Sequence, residues 1–130
     1  MSWDGLNRRK FPRIVYPCLV KLAAQAEGTQ ACLTHTENIG VGGIGLIVRK
    51  EIKLFSAVGL EIDLLDDVEN IIAEGKVVWV VRRKATEATK PFFYDIGVEF
   101  ERISAQDKTR LKNTIERFIQ KGGKVLKPVY

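Results

Sequence analysis

Phe92-Phe93-Tyr94-Asp95-Ile96-Gly97-Val98-Glu99-Phe100-Glu101 is the stretch on which the fold turns. Phe92, Tyr94, Ile96, Val98 and Phe100 share one parity; Phe93, Asp95, Gly97, Glu99 and Glu101 share the other. Successive side chains of a strand point to opposite faces, so the alternation describes a half-buried strand. Just downstream the period changes. Ser104 followed by Asp107 resembles a capping box, in which a hydroxyl and a carboxylate satisfy the free N–H groups of a first helical turn. Leu111, Ile115, Phe118 and Ile119 then fall at helical spacing, and Gly122-Gly123 is a helix stop. The pattern predicts a helix over 104–121 and a short, loose tail over 122–130.

Upstream, everything alternates. Ile71, Ala73, Val77, Trp79 and Val81 share a face, interrupted by Gly75, with Glu74 and Lys76 opposite. Arg82–Lys90 is polar and basic and reads as a loop. Val58, Leu60, Ile62 and Leu64 form another strand face, closed by a turn at Asp66-Asp67. Ile44, Leu46 and Val48 make a further strand, and Gln30–Glu37 another, joined through a turn at Glu27-Gly28 to the run Ile14–Ala24. In that first run Ile14, Tyr16, Cys18, Val20 and Leu22 alternate. Pro17 has no N–H to donate, which places it on an edge or at a bulge. About six strands followed by one amphipathic helix describe a mostly β chain. An open sheet of that size leaves two unpaired edges, so a small closed antiparallel barrel is expected, with the helix covering one opening or packed outside.

With 130 residues, the chain is the size of one domain and can bury a core without disulfides or metals. The net charge of +5 favours anionic partners without singling out nucleic acid. Cys18 and Cys32 lie in strand-like runs and read as free, buried thiols. They are fourteen positions apart with no His or Cys between them, so they lack zinc spacing. His35, the single histidine, sits within a strand and reads as a surface residue or one with its hydrogen bonds satisfied. Asp66-Asp67 reads as a solvated turn rather than a cation site. No general acid–base pair or metal cluster is evident, so no catalytic residue, cofactor or metal is assigned. The longest uninterrupted apolar run, Val77–Val81, is far too short to span a membrane. The charged first dozen residues do not read as a signal peptide, and a cytoplasmic location is expected.

Two stretches remain that carry chemistry. Arg8-Arg9-Lys10-Phe11-Pro12-Arg13 has four cations in six residues. Guanidinium groups bind phosphate oxygens and the O6/N7 edge of guanine in bidentate fashion and stack on purine rings. Asn38-Ile39-Gly40-Val41-Gly42-Gly43-Ile44-Gly45 has four glycines in eight residues. Such density implies positive φ angles or close approach of the backbone to another group. It lacks the Gly-Lys-Ser/Thr ending of a Walker loop. The Asn38 amide can read a base edge, and the glycines leave backbone N–H groups open to a phosphate.

In this order and spacing the two stretches resemble the PilZ domain, a bacterial receptor for cyclic di-GMP. Arg9-Lys10-Phe11-Pro12-Arg13 matches the family's Arg-x-x-x-Arg motif. Asn38 and Gly43 match its Asp/Asn-x-Ser-x-x-Gly motif, followed by Gly43-Ile44-Gly45-Leu46. Gly75-Lys76-Val77-Val78-Trp79-Val80 and Asp95-Ile96-Gly97-Val98-Glu99-Phe100 look like later strands of the family. The resemblance covers Arg8 to Gln120. It implies a six-stranded antiparallel split barrel over 14–101 with a C-terminal helix over 104–121, preceded by a flexible lead-in over 1–7. It further implies that Arg9 and Arg13 contact guanine and phosphate and that Asn38 reads a guanine edge, while Gly43 keeps the turn open. Arg8 stands where some members carry an arginine that accompanies a stacked pair of ligands, so the resemblance implies one or two molecules per chain. The motif serine is replaced by Gly40, which removes one hydroxyl from the ligand site. The reading is a non-catalytic cyclic di-GMP receptor, with ligand-binding residues Arg8, Arg9, Arg13, Asn38, Gly40 and Gly43, that switches an unidentified effector protein. The alternative is a degenerate PilZ domain acting as a protein-interaction module. A small basic barrel for single-stranded nucleic acid ranks last, because the aromatics fall mostly on core-like faces.

Overall fold

The computed structural model describes residues 13–16, 18–24, 31–83 and 93–126. Their strands are β1 (Arg13–Ile14), β2 (Leu19–Ala24), β3 (Ala31–Gly40), β4 (Gly43–Val48), β5 (Ala57–Asp63), β6 (Ile71–Arg83), β7 (Phe93–Ile103) and β8 (Val125–Leu126), with one helix, α1 (Ala105–Gln120), before the last. Neighbours run β2-β5-β6-β7-β4-β3, and β3 pairs back onto β2. That last pairing closes a six-stranded barrel, and every pairing in it is antiparallel. Closure leaves no open edge among these six strands, which is the physical reason the alternating pattern ends in a barrel.

The inward parity read from the sequence fills the barrel. Val20, Leu22, Ile44, Leu46, Ile62 and Ile96 are all buried, and Leu111 and Ile115 of α1 join the same cluster. The helix begins as expected, with Ser104 Oγ accepting from the Asp107 N–H at 3.0 Å. It ends where Gly122 takes a φ of 84° and the Gly122 and Gly123 N–H groups return to the Ile119 and Phe118 carbonyls. The Tyr16 ring meets Phe118 edge-on at 5.3 Å, and its hydroxyl donates to the Leu64 carbonyl. The Asp66-Asp67 turn is solvent-exposed, and Arg110 pairs with both oxygens of Asp66, which ties that turn to the helix.

Cys18 and Cys32 are free thiols. Burial pushes the Cys18 thiol up to about 11, against the lowering effect of a hydrogen bond with Thr36. It is a core residue, not a nucleophile.

The structure departs from the sequence pattern in three places. The run Ile14–Ala24 is split into β1 and β2, both paired to β3. Ile14 opposes Ile39 and Leu19 opposes His35, so five steps on one side match four on the other. β1 and β2 are thus one residue out of step along β3; the edge or bulge expected at Pro17 lies outside the described residues. Second, Val125–Leu126, read as part of a loose tail, pair with β1. The tail adds an outer strand, and Val15 N–H also donates to the Lys124 carbonyl.

Third, β6 has a register shift between Val77 and Trp79: Val77 opposes Val98, but Trp79 opposes Gly97. One residue is inserted and the parity reverses. Trp79 and Val81, expected on the core face, are 37% and 52% exposed, while Val80 packs on the core. The continuous apolar run Val77–Val81 contains no alternation that could have revealed this.

Candidate functional site

The two motif stretches meet in space. β1 lies between β3 and β8, with Arg13 opposite Gly40 on one side and Leu126 on the other. The backbone of Arg13 is thereby held on both flanks. Its Nη1 donates to Asn38 Oδ1 at 3.1 Å. Arg13 and Asn38, 25 positions apart in sequence, form one polar unit on the outside of the barrel.

The glycines beside this unit serve close approach rather than unusual backbone angles. None of Gly42, Gly43 and Gly45 takes a left-handed φ. A Cβ on Gly43 would lie 2.5 Å from the Val98 carbonyl oxygen and 3.3 Å from Arg13 Nη2. A Cβ on Gly45 would lie 2.7 Å from Asn38 Nδ2. Glycine at these positions lets β4 approach β7 and lets the Asn38 amide lie flat on the sheet.

The register extends this unit into a row. Asn38 opposes Gly45, Gly45 opposes Gly97, and Gly97 opposes Trp79. Directly opposed residues share a face, so all four lie across β3, β4, β7 and β6 on one outer surface. A Cβ on Gly97 would overlap the Trp79 indole. An amide at one end and an indole at the other thus lie over two glycines. Three strand spacings put the ends roughly 14 Å apart. Two residues along β4 and β7, and three along the bulged β6, Gly43 opposes Glu99 and Glu99 opposes Lys76. The Lys76 ammonium sits 6.0 Å over the ring of Phe55 and 3.6 Å from Glu101. The surface therefore combines a guanidinium, an amide, an exposed indole and an ammonium.

The PilZ domain family model matches residues 7–120. The chain belongs to the PilZ domain family. No curated protein matches the sequence. Among solved structures, the Bacillus subtilis inhibitor of motility (MotI/DgrA) is 20% identical with a TM-score of 0.70, over 88% of this chain and 52% of that one. The PilZ domain with c-di-GMP of YcgR from Escherichia coli is 13% identical with a TM-score of 0.67, over 88% and 94%. The K. pneumonia MrkH–c-di-GMP complex is 17% identical with a TM-score of 0.66, over 88% and 54%. The PilZ domain described here thus spans about half the length of the first and third. At these identities the likeness is one of fold.

Of the site residues expected from the sequence, the PilZ fold brings together Arg13, Asn38, Gly40 and Gly43. Arg8 and Arg9, and the lead-in before them, lie outside the described residues. Trp79 and Gly97 share the outer surface with Arg13 and Asn38, although neither stands out in the sequence. No one-dimensional signal marks them, because both depend on the β6 bulge and on the β4–β7 register. His35 is exposed, as expected. No group of His, Cys, Asp and Glu among the described residues is arranged to hold a metal. Among the same residues no helix is long and apolar enough to cross a membrane.

Proposed function

We propose that this PilZ domain is a receptor for cyclic di-GMP that acts by binding, not catalysis. The observation that carries the reading is the Arg13–Asn38 unit standing at one end of the Gly45–Gly97 row with Trp79 at the other. A cyclic purine dinucleotide offers two anionic phosphates and two flat guanines. Arg13 supplies charge-assisted donors to a phosphate or to the guanine O6/N7 edge. Asn38, whose Oδ1 already accepts from Arg13, has its Nδ2 to donate to a base edge. The Trp79 indole offers a stacking face, with the Lys76 ammonium, paired with Glu101, beyond it. Arg8 and Arg9 complete the clamp from the adjoining segment, Arg9 on guanine or phosphate and Arg8 accompanying a second, stacked ligand. Binding changes the surface offered to an effector protein. The c-di-GMP named in the solved YcgR and MrkH complexes supports this choice of ligand.

Calorimetric titration with cyclic di-GMP tests the reading. Saturable heat, a raised melting temperature and quenching of Trp79 emission in a Trp3→Phe background are expected. Absence of all three with excess ligand overturns it and leaves the interaction-module reading that Gly40 favours. Gly40 stands opposite Arg13, where the family motif has serine. A hydroxyl restored there adds one hydrogen bond, about 1 kcal/mol. Gly40→Ser should therefore tighten binding roughly fivefold, since a tenfold change is about 1.4 kcal/mol. Weaker binding by Gly40→Ser would show that the site has no room for the missing hydroxyl.

A further inference from the structure

Beside the row, the same outer face carries a buried carboxyl with one unpartnered oxygen. Asp95 lies two residues before Gly97 on β7, opposite Ile47 and Val81, and is only 4% exposed. Its Oδ2 pairs with Arg83 Nε, while its Oδ1 is buried with no hydrogen-bond partner. Glu37 sits in the β3 bulge between Thr36 and Asn38, immediately before the amide of the ligand site. Its carboxyl is within hydrogen-bond reach of Asp95. Burial first, then the Asp95 charge and that hydrogen bond, raise the Glu37 carboxyl above its ordinary range, and Arg83 opposes them.

The Arg83 guanidinium lowers the Glu37 carboxyl less than burial and Asp95 raise it, and two carboxylates in contact cannot hydrogen-bond unless one carries a proton. A proton on Glu37, donated to Asp95, supplies the donor that Oδ1 lacks. The charged groups around Glu37 come from each neighbouring strand. His35 of β3 and Arg49, which follows β4, line with Glu37 a cavity of about 420 Å³. Arg49 stands 5.7 Å over the Phe93 ring. Asp95 approaches from β7 and Arg83 from β6, and Arg13 lies beyond Asn38.

We propose that Glu37 and Asp95 share one proton, and that this makes binding of the anionic ligand proton-linked, with the shared proton retained in the complex. The linkage rests on the receptor reading above. A negative charge one residue from Asn38 opposes a phosphate, so the protonated form binds more tightly and affinity rises as pH falls. The sign for stability is the same. A carboxyl raised in the folded state stabilises fully below its unfolded value, and that contribution is lost as pH rises through its folded value.

The test has a ligand-free arm and a ligand arm. In the first, carboxyl carbon-13 NMR follows Glu37 in the wild type and in Asp95→Asn. Glu37 should titrate above the ordinary carboxylate range and fall back when Asp95 is neutralised. In the second, cyclic di-GMP is titrated at pH 5.5 and pH 8. The wild type should bind roughly three- to tenfold more tightly at pH 5.5, since one unit of ligand-induced change in a pKa is a tenfold change in affinity. Glu37→Gln should bind more tightly than wild type at pH 8, lose most of the pH difference, and melt at a higher temperature than wild type at pH 8 but not at pH 4. His35→Gln should keep the pH difference. Glu37 titrating in the ordinary range overturns the shared proton. A wild-type pH difference surviving in Glu37→Gln, or vanishing in His35→Gln, overturns the linkage. Absence of binding at every pH overturns the receptor reading and the linkage together, while the ligand-free titration still decides the shared proton.

Discussion

Arg13→Ala is expected to weaken cyclic di-GMP binding by roughly 30- to 1,000-fold, the range set by removing one partner of a charge-assisted contact at about 2–4 kcal/mol. The loss has two parts. The guanidinium no longer meets the ligand, and Asn38 Oδ1 loses the donor that orients the amide. The fold itself should be little changed. Arg13 enters the sheet through its backbone, opposite Gly40 and Leu126, and alanine keeps those hydrogen bonds. A melting temperature within about 3 °C of wild type is expected, as for a substitution that disturbs no core packing. Calorimetry and thermal unfolding on the same samples separate the two effects. Binding within threefold of wild type would remove Arg13 from the site and with it the link between the two motifs.

The second large effect falls on stability. In Gly43→Ala the new methyl group would lie 2.5 Å from the Val98 carbonyl oxygen and 3.4 Å from Glu99 Cα. Both are backbone atoms of the paired strand, so no side chain can turn aside; β4 and β7 must separate. Forced packing of this kind costs about 1–3 kcal/mol, with backbone displacement at the upper end. A fall in melting temperature of about 6–15 °C is expected for a chain of this size. Arg13 Nη2 lies 3.3 Å from the same position, so ligand affinity should fall as well.

Gly97→Ala is the informative contrast. There the obstacle is the Trp79 indole, a side chain at the surface. It can swing away, so the fold should lose less than in Gly43→Ala. The stacking face moves instead, and Trp79 emission in a Trp3→Phe background should shift before any ligand is added. Equal destabilisation by the two substitutions would show that the indole is as immobile as the backbone.

Much of the architecture was legible in one dimension. Alternation such as Tyr94, Ile96, Val98 marks strands because a half-buried sheet has a side-chain period of two. Ser104, Asp107 and Gly122-Gly123 bracket the helix because free N–H and C=O groups need partners at its ends. Arg13 and Asn38 were each legible as side chains suited to phosphate and base edges. What failed was parity across bulges. Trp79 and Val81 follow Val77-Val78 in an unbroken apolar run, and nothing local says where the extra residue goes. The pairing of Val125–Leu126 with β1 was hidden for a related reason: two residues are too few to show a period.

The sequence by itself determined the set of strands, the helix, the closed barrel they favour, and the arginine and asparagine chemistry, because each follows from local periodicity or from a side chain's own functional groups. Only the tertiary structure decided that Arg13 rests on Asn38, that Trp79 faces outward over Gly97, and that Glu37 meets Asp95. Those contacts join residues 18 to 58 positions apart, and strand register, set by packing and shifted by single-residue bulges, chooses them.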